Sequence, residues 1–230
     1  MVKGIILGLL LIVFVFFITK HYFDLKGRVE KENRTRFLVR VAVFGAFSAV
    51  LYCVPFLKFP VPFFPSFLEF HFDEIPAFIA AFAYGPLAGL YILLVKTIIK
   101  LPLTSTLCVG EIADLIYSTA FIIPAAIYYQ KHRTFKGALK SLLLGLTCQL
   151  FVSLVANVYV MFPFYMQMFD ISEEALLGMC QAANPAIKDI RWSVGTIAVL
   201  PFNAMKDAAV IIVTLLVYKS THTIFDRIQK

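Results

Sequence analysis

The sequence predicts an all-α membrane protein, and three observations support this fold class. Hydrophobic residues make up 60% of the chain and charged residues 15%, whereas soluble domains have roughly 45–50% and 25%. The mean hydropathy is +0.85. The apolar residues form long runs, and 230 residues are enough for about six or seven helices of the length that crosses a bilayer.

Residues 2–19 form the first apolar run and predict a transmembrane anchor helix. A cleaved signal peptide is the competing interpretation, but Lys20, His21 and Tyr22 follow the run in place of a small-residue cleavage site. We therefore divide the chain into this anchor (1–20), a basic cytoplasmic linker (21–36), a membrane domain (37–219) and a cytoplasmic tail (220–230).

Basic residues predict the orientation of the helices. The segments 20–40, 131–140 and 219–230 hold seven, four and three of the twenty-one Lys and Arg residues. Cytoplasmic segments of membrane proteins carry such an excess. We therefore expect Met1 outside and Lys230 inside, and we attribute the net charge of +7 to membrane topology rather than to nucleic-acid binding.

Residues 56–76 read FLKFPVPFFPSFLEFHFDEIP, and their four prolines exclude a continuous helix. Lipid does not tolerate the unpaired backbone groups of such a segment, which is stable at the membrane surface or over a cavity between helices. We expect an ordered loop beside a ligand site. The alternative is an apolar connection that rests on the lipid headgroups.

Three polar residues lie inside predicted spans: Asn157, Asn203 and Lys206. A lysine at the centre of a span costs about 2.5–3.5 kcal/mol on insertion, so its burial needs compensation. Asn203 and Lys206 are three residues apart and share one helix face, which we expect to look into the bundle. The alternative is a structural ion pair of Lys206 with Asp207 or Glu111.

Four other charged residues receive structural interpretations. Lys96 and Lys100 fall near a helix end, where we expect their ammonium groups to reach the headgroups. Glu111 and Asp114 fall in the first turn of a helix, where acidic groups suit the helix dipole.

The remaining segments are predicted as connections. Residues 131–140 are expected to form a second cytoplasmic loop and residues 170–189 a polar outer loop. The four cysteines show no CxxC pairing and are expected to fill apolar space, with a disulfide between Cys108 and Cys180 as the alternative.

Small residues form stripes on the helix predicted over 37–54. Ala42 and Ala46 are four residues apart, as are Gly45 and Ala49, so another helix can approach closely. Packing inside the same bundle and docking of a partner helix are both open interpretations.

Catalytic signatures are missing from the sequence. It contains no HExxH motif, Cys/His cluster, Gly-x-Ser-x-Gly turn or paired-Asp motif, so we expect no enzyme, metal or cofactor. It also lacks GxxxxGK[ST], so any ATP hydrolysis must come from partner subunits.

Five runs of the chain resemble, in order, the substrate-binding (S) components of energy-coupling factor (ECF) transporters, above all their riboflavin-specific type. The resemblance extends from about Arg36 to Tyr218. It implies a six-helix S-component core, to which the first helix is an addition, in the bacterial cytoplasmic membrane. The runs are FPVPFFPSFLEFHFDEIPAFIAAFAYGPLAG, VGEIADLIYSTAFIIPAAIYY, RTFKGAL, VANVYVMFP and LPFNAMKD.

The resemblance also implies roles for particular residues. Asn157, Asn203 and Lys206 fall on positions that resemble those bonding the isoalloxazine ring of riboflavin. Ala42 and Ala46 resemble the AxxxA surface that receives the EcfT-type scaffold, which works with two ABC ATPases. A flat heteroaromatic ring needs apolar walls and a few placed polar groups. The complete predicted substrate-binding set is Asn157, Asn203, Lys206, Glu111, Phe64 and Phe67.

The function expected from this resemblance is vitamin uptake, with riboflavin captured at the outer face. FMN or another vitamin is the alternative within the class, and a membrane enzyme or a structural membrane protein is the alternative outside it. FMN would need more cations for its phosphate than Lys206 alone.

Overall fold

The computed structural model describes residues 34–104 and 106–228, which are largely helical. Five of these helices are long and apolar enough to cross a membrane, and a shorter apolar helix accompanies them. The all-α membrane fold is therefore confirmed, while the helix predicted over 2–19 lies outside the described residues. The helices are α1 (Arg34–Cys53), α2 (Glu74–Tyr84), α3 (Pro86–Lys100), α4 (Val109–Lys131), α5 (Phe135–Ala156), α6 (Phe162–Met168), α7 (Glu173–Ala183), α8 (Trp192–Val194) and α9 (Leu200–Ile228).

The short helix α2 lies in the middle of the bundle, where it contacts α1, α3, α4 and α9. Its Phe78 is fully buried and meets Phe121 of α4 edge to face, with ring centroids 4.6 Å apart. Gly85 has a φ of 103°, which ends α2, and Pro86 occupies the first position of α3. Gly85 and Pro86 therefore separate α2 from α3.

Two long helices contain a π-helical turn immediately before a proline. Asn157–Met161 joins α5 to α6 ahead of Pro163, and Gly195–Val199 joins α8 to α9 ahead of Pro201. A proline ring clashes with the carbonyl group four residues earlier in an α-helix. The wider π turn relieves that clash, so each proline is accommodated within one long helix, Phe135–Met168 or Trp192–Lys219.

The proline-rich loop (56–76) connects α1 to α2 and is ordered against the bundle, as predicted, except that residues 74–76 already form the first turn of α2. Its two short strands, β1 (Phe59–Pro60) and β2 (Glu69–Phe70), pair antiparallel. Phe64 and Leu68 pack against a buried apolar cluster that includes Phe162. The loop is therefore packed on protein rather than resting on headgroups alone.

The prediction that residues 170–189 form a loop is wrong because these residues contain helix α7. The hydroxyl of Ser172 caps this helix by accepting a hydrogen bond from the Ala175 N–H at 3.1 Å. Leu176 and Cys180 on its inner face are buried. The residues therefore form an amphipathic helix whose inner face packs against a buried apolar cluster.

The predicted cytoplasmic loop over 131–140 is also shorter than expected. The Thr134 hydroxyl accepts from the Gly137 N–H at 3.0 Å, so α5 already begins at Phe135. The alternative disulfide between Cys108 and Cys180 is wrong, since both cysteines are free.

The two small-residue stripes of α1 face different surroundings. Gly45 and Ala49 are buried, and a Cβ added at Gly45 would lie 2.8 Å from a methyl group of Val95. This stripe is therefore internal packing between α1 and α3. Ala42 and Ala46 are exposed on the outer surface of the bundle.

Candidate functional site

A cavity of about 390 Å³ lies beneath the proline-rich loop. The loop contributes Phe67 and His71, α4 contributes Glu111, and α9 contributes Asn203 and Lys206. The volume falls within the range of small-molecule sites, roughly 300–1,000 Å³. The further lining residues are Tyr52, Lys58, Ser66, Leu68, Glu69, Lys100, Thr106, Gly110, Ala113, Asp114, Tyr117, Asn157, Met161, Tyr165 and Phe202.

The structure brings most of the predicted substrate-binding set together around this cavity. Phe64 is the exception, since it is not among the lining residues. Its ring packs edge to face on Phe202, with centroids 5.4 Å apart. Phe202 itself faces the cavity, so Phe64 supports the wall from behind. The five that line the cavity are Asn157, Asn203, Lys206, Glu111 and Phe67.

Lys206 is ion-paired with a residue that the sequence interpretation did not consider. Its Nζ donates to Oε1 of Glu74 at 2.6 Å, and Glu74 is the first residue of α2. Neither alternative partner, Asp207 or Glu111, is the acceptor. Both oxygens of the buried Asp207 carboxyl lack a hydrogen-bond partner among the described residues.

A second buried lysine bonds a residue of the cavity wall. Lys96 of α3 is fully buried, so the expectation that it reaches the headgroups is wrong. Its Nζ donates to Asp73 and, at 2.8 Å, to Asp114 Oδ2. His71 Nδ1 bonds the other oxygen of Asp73. The loop, α3 and α4 are thus tied together by charge-assisted hydrogen bonds.

The charged neighbours of Asp73 favour its ionised form. Burial raises its pKa, but the opposing effects of His71 and Lys96 are stronger and hold the pKa well below its usual value. Asp73 also fixes α1, because the Ser48 hydroxyl donates to its backbone carbonyl at 2.6 Å.

The acidic cluster also has the spacing of a cation site. One ligand atom from each of His71, Asp73, Glu74 and Asp114 lies within 4.8 Å of the others. Two ammonium groups already bond these carboxylates, one from α3 and one from α9. The arrangement therefore fits a neutralising ion-pair network rather than a metal site.

The two asparagines are held in defined orientations by hydrogen bonds to side chains and backbone carbonyls. Asn157 Nδ2 donates to the Tyr117 hydroxyl at 2.9 Å and to the Ser153 carbonyl at 2.8 Å. Asn203 Oδ1 accepts from Gln149 Nε2 at 3.2 Å. The protein therefore determines which way the oxygen and the nitrogen of each amide point.

Glu111 is positioned by the loop that precedes α4. Its Oε2 accepts from the hydroxyl groups of Thr104 at 2.8 Å and Thr106 at 2.9 Å. The Thr104 hydroxyl also accepts from the Cys108 N–H at 3.1 Å, in a turn where Cys108 has a φ of 70°. Glu111 therefore anchors this turn, and its side chain also lines the cavity.

Sequence reasoning missed several residues of the site, including His71, Glu74, Lys96 and Tyr117. One signal was available on α4. Glu111, Asp114 and Ser118 are spaced three and four residues apart, which places three polar groups on one helix face. That face requires polar partners inside the bundle. Lys96 bonds Asp114 and Ser118, and the hydroxyl groups of Thr104 and Thr106 bond Glu111.

The comparisons with known proteins agree with this architecture. The pattern of the family described as "ECF transporter, substrate-specific component" matches residues 36–218. A solved structure of the S component of a bacterial ECF transporter superimposes with a TM-score of 0.66 at 25% identity, covering 84% of this chain and 98% of that one.

Two curated relatives match most of this chain and most of their own length. Riboflavin transporter RibU of Staphylococcus aureus (strain TCH60) is 28% identical over 82% of this chain and 93% of its own length. Riboflavin transporter FmnP of Bacillus subtilis (strain 168) is 28% identical over 78% of this chain and 90% of its own. These relatives are transport proteins and not enzymes, and the apolar helices make the chain a multi-pass bacterial membrane protein. The chain belongs to the family of substrate-specific components of ECF transporters.

Proposed function

We propose that this S component captures riboflavin at the outer face of the membrane in the cavity beneath the proline-rich loop. The observation that carries the proposal is the convergence of Asn157, Asn203, Lys206 and Glu111 on one cavity of about 390 Å³. The names of the two curated relatives support the same substrate.

The chemistry of the cavity suits a flat, neutral heteroaromatic ring. Phe67, Tyr165 and Phe202 supply aromatic faces, and such faces favour stacked or edge-to-face contact with another ring. The ring edge of a flavin carries carbonyl oxygens, which accept hydrogen bonds, and one N–H group, which donates. Lys206 can donate to a carbonyl, and Glu111 and Asn157 can accept.

FMN is the alternative ligand that one observation favours. Lys58 and Lys100 line the cavity, and their Nζ atoms lie 4.9 Å and 5.7 Å from the ring centroid of Tyr52. However, Lys58 already donates to Glu69 at 2.6 Å, so much of the positive charge available for a phosphate is neutralised. We therefore expect riboflavin to bind more tightly than FMN.

The delivery step belongs to the same proposal. ATP hydrolysis requires a partner, so we infer that an EcfT-type scaffold and two ABC ATPases release the ligand inward. The exposed Ala42 and Ala46 support this inference, because small residues on a membrane-facing stripe let a second helix pack closely.

The experiment is to purify the protein in detergent and to identify any bound yellow chromophore by absorption and mass. Ligand-free protein is then titrated with riboflavin, FMN and an unrelated vitamin such as biotin. The proposal predicts one riboflavin per chain and a weaker response to FMN. Tighter binding of FMN would favour the alternative ligand, and binding of biotin alone would contradict a flavin site.

A further inference from the structure

We propose that Tyr117 is a positioning residue that makes Asn157 an obligate hydrogen-bond acceptor and so selects ligands with a ring N–H donor. This inference rests on the proposed flavin site and deepens it. Tyr117 and Asn157 both line the cavity. They are 40 residues apart in sequence, on α4 and in the π turn after α5.

The inference begins with the hydrogen-bond capacity of the Asn157 amide. An asparagine amino group has two hydrogens to donate. One is donated to the Tyr117 hydroxyl at 2.9 Å and the other to the Ser153 carbonyl at 2.8 Å. No amino hydrogen is left for a ligand. The carbonyl oxygen Oδ1 has no hydrogen-bond partner among the described residues, so it is the group that Asn157 offers to the cavity.

The Ser153 carbonyl is the contact that prevents the amide from turning over, and Tyr117 takes up the amino hydrogen that remains. If Asn157 flipped, its carbonyl oxygen would face the Ser153 carbonyl, and two acceptors would then be opposed in a buried place. The Tyr117 hydroxyl alone could adapt to either orientation, because it can donate or accept. With the present orientation it accepts from Asn157, and the two contacts together hold the carbonyl oxygen toward the cavity.

The polarity of Asn157 matters because a flavin ring has a single N–H group, at N3, between two carbonyl groups. An acceptor at Asn157 matches that N–H and repels a carbonyl. Loss of the Tyr117 hydroxyl would leave one amino hydrogen without an acceptor, and a buried donor that lacks a partner is costly. Asn157 would then gain by offering that hydrogen to the ligand, and the preference for an N–H donor would weaken.

The test compares riboflavin with riboflavin methylated at N3, which lacks the donor. Wild-type protein should bind riboflavin far more tightly than the methylated flavin. In Tyr117→Phe the affinity for riboflavin should fall by about three- to tenfold, the worth of one neutral hydrogen bond. The affinity for the methylated flavin should stay the same, so the ratio of the two affinities should fall by the same three- to tenfold. The matched control is Tyr128→Phe, a half-buried tyrosine of α4 outside the cavity, which should change neither affinity.

A double-mutant cycle separates positioning from general damage. In an Asn157→Leu background no amide remains to orient, so adding Tyr117→Phe should leave the preference unchanged. An equal loss of both affinities in Tyr117→Phe, or no loss of either, would overturn the inference while leaving the flavin site intact. If wild-type protein bound neither flavin, the proposed function itself would fail.

Discussion

Lys206 Nζ and Glu74 Oε1 lie 2.6 Å apart, although 132 residues separate them in sequence. Both side chains are buried, and their helices α9 and α2 meet in the middle of the bundle. The charge of Lys206 is therefore paired without any ligand. Because an ammonium group has three hydrogens, Lys206 can keep Glu74 and still donate to a ligand carbonyl.

This pair changes what Lys206→Met should do. The substitution removes the lysine charge but leaves the Glu74 carboxylate buried without its partner, which typically costs about 3–5 kcal/mol of the free energy of unfolding. We expect Lys206→Met to lower the thermal unfolding temperature clearly, measured in detergent without ligand.

The matched variant is Lys206→Met combined with Glu74→Gln, which removes both charges. It should regain much of the lost stability, yet bind riboflavin about ten- to a hundredfold more weakly than wild type, since the charge-assisted donor is gone. A stable double variant with wild-type affinity would mean that Lys206 serves only the ion pair.

Lys96 and Lys100 are four residues apart on α3 and should respond very differently to Met. Lys96 is fully buried and bonds Asp73 and Asp114, whereas Lys100 is half-buried. Lys96→Met leaves two carboxylates without their shared cation, so it should destabilise by about 3–5 kcal/mol. Lys100→Met should change the free energy of unfolding by less than about 1 kcal/mol. Equal melting temperatures for the two variants would contradict the buried network.

Enlarging the outward stripe of α1 should separate binding from transport. With Ala42→Leu and Ala46→Leu together, we expect riboflavin binding to persist and energised uptake in cells that contain the scaffold and ATPases to be lost. The control replaces the exposed Val39 and Val43 by Leu at the same spacing, which should preserve uptake. If the alanine variant lost binding as well, the stripe would belong to the fold of this chain.

Much of the fold followed from local sequence properties. The proline-rich loop, the break at Gly85-Pro86 and the apolar runs depend on backbone restrictions and hydropathy, which act over a few residues. A local signal could also have revealed α7, because Ser172 is a typical N-cap residue and two glutamates follow it.

The site was only partly predictable because its polar groups are paired across the chain. Asn157, Asn203 and Lys206 stood out as polar residues in apolar spans. Nothing local indicated that Glu74 rather than Asp207 or Glu111 would meet Lys206, since that depends on α2 lying beside α9. Lys96 does lie near a helix end, but it was misjudged because its side chain points into the bundle, which depends on the packing of α3 against α4.

The most direct measurement is a titration of ligand-free protein with riboflavin, followed by quenching of flavin fluorescence, for wild type and two phenylalanine variants of α4. Ala113 is buried and lines the cavity, while the adjacent Ile112 is 46% exposed. We predict that each wild-type chain binds one riboflavin. Ala113→Phe should not bind because the new ring fills the cavity, whereas Ile112→Phe should keep the wild-type affinity. A thermal unfolding transition in both variants would show that they are folded. The absence of saturable quenching by wild type, or unchanged affinity in Ala113→Phe, would contradict a flavin site in this cavity.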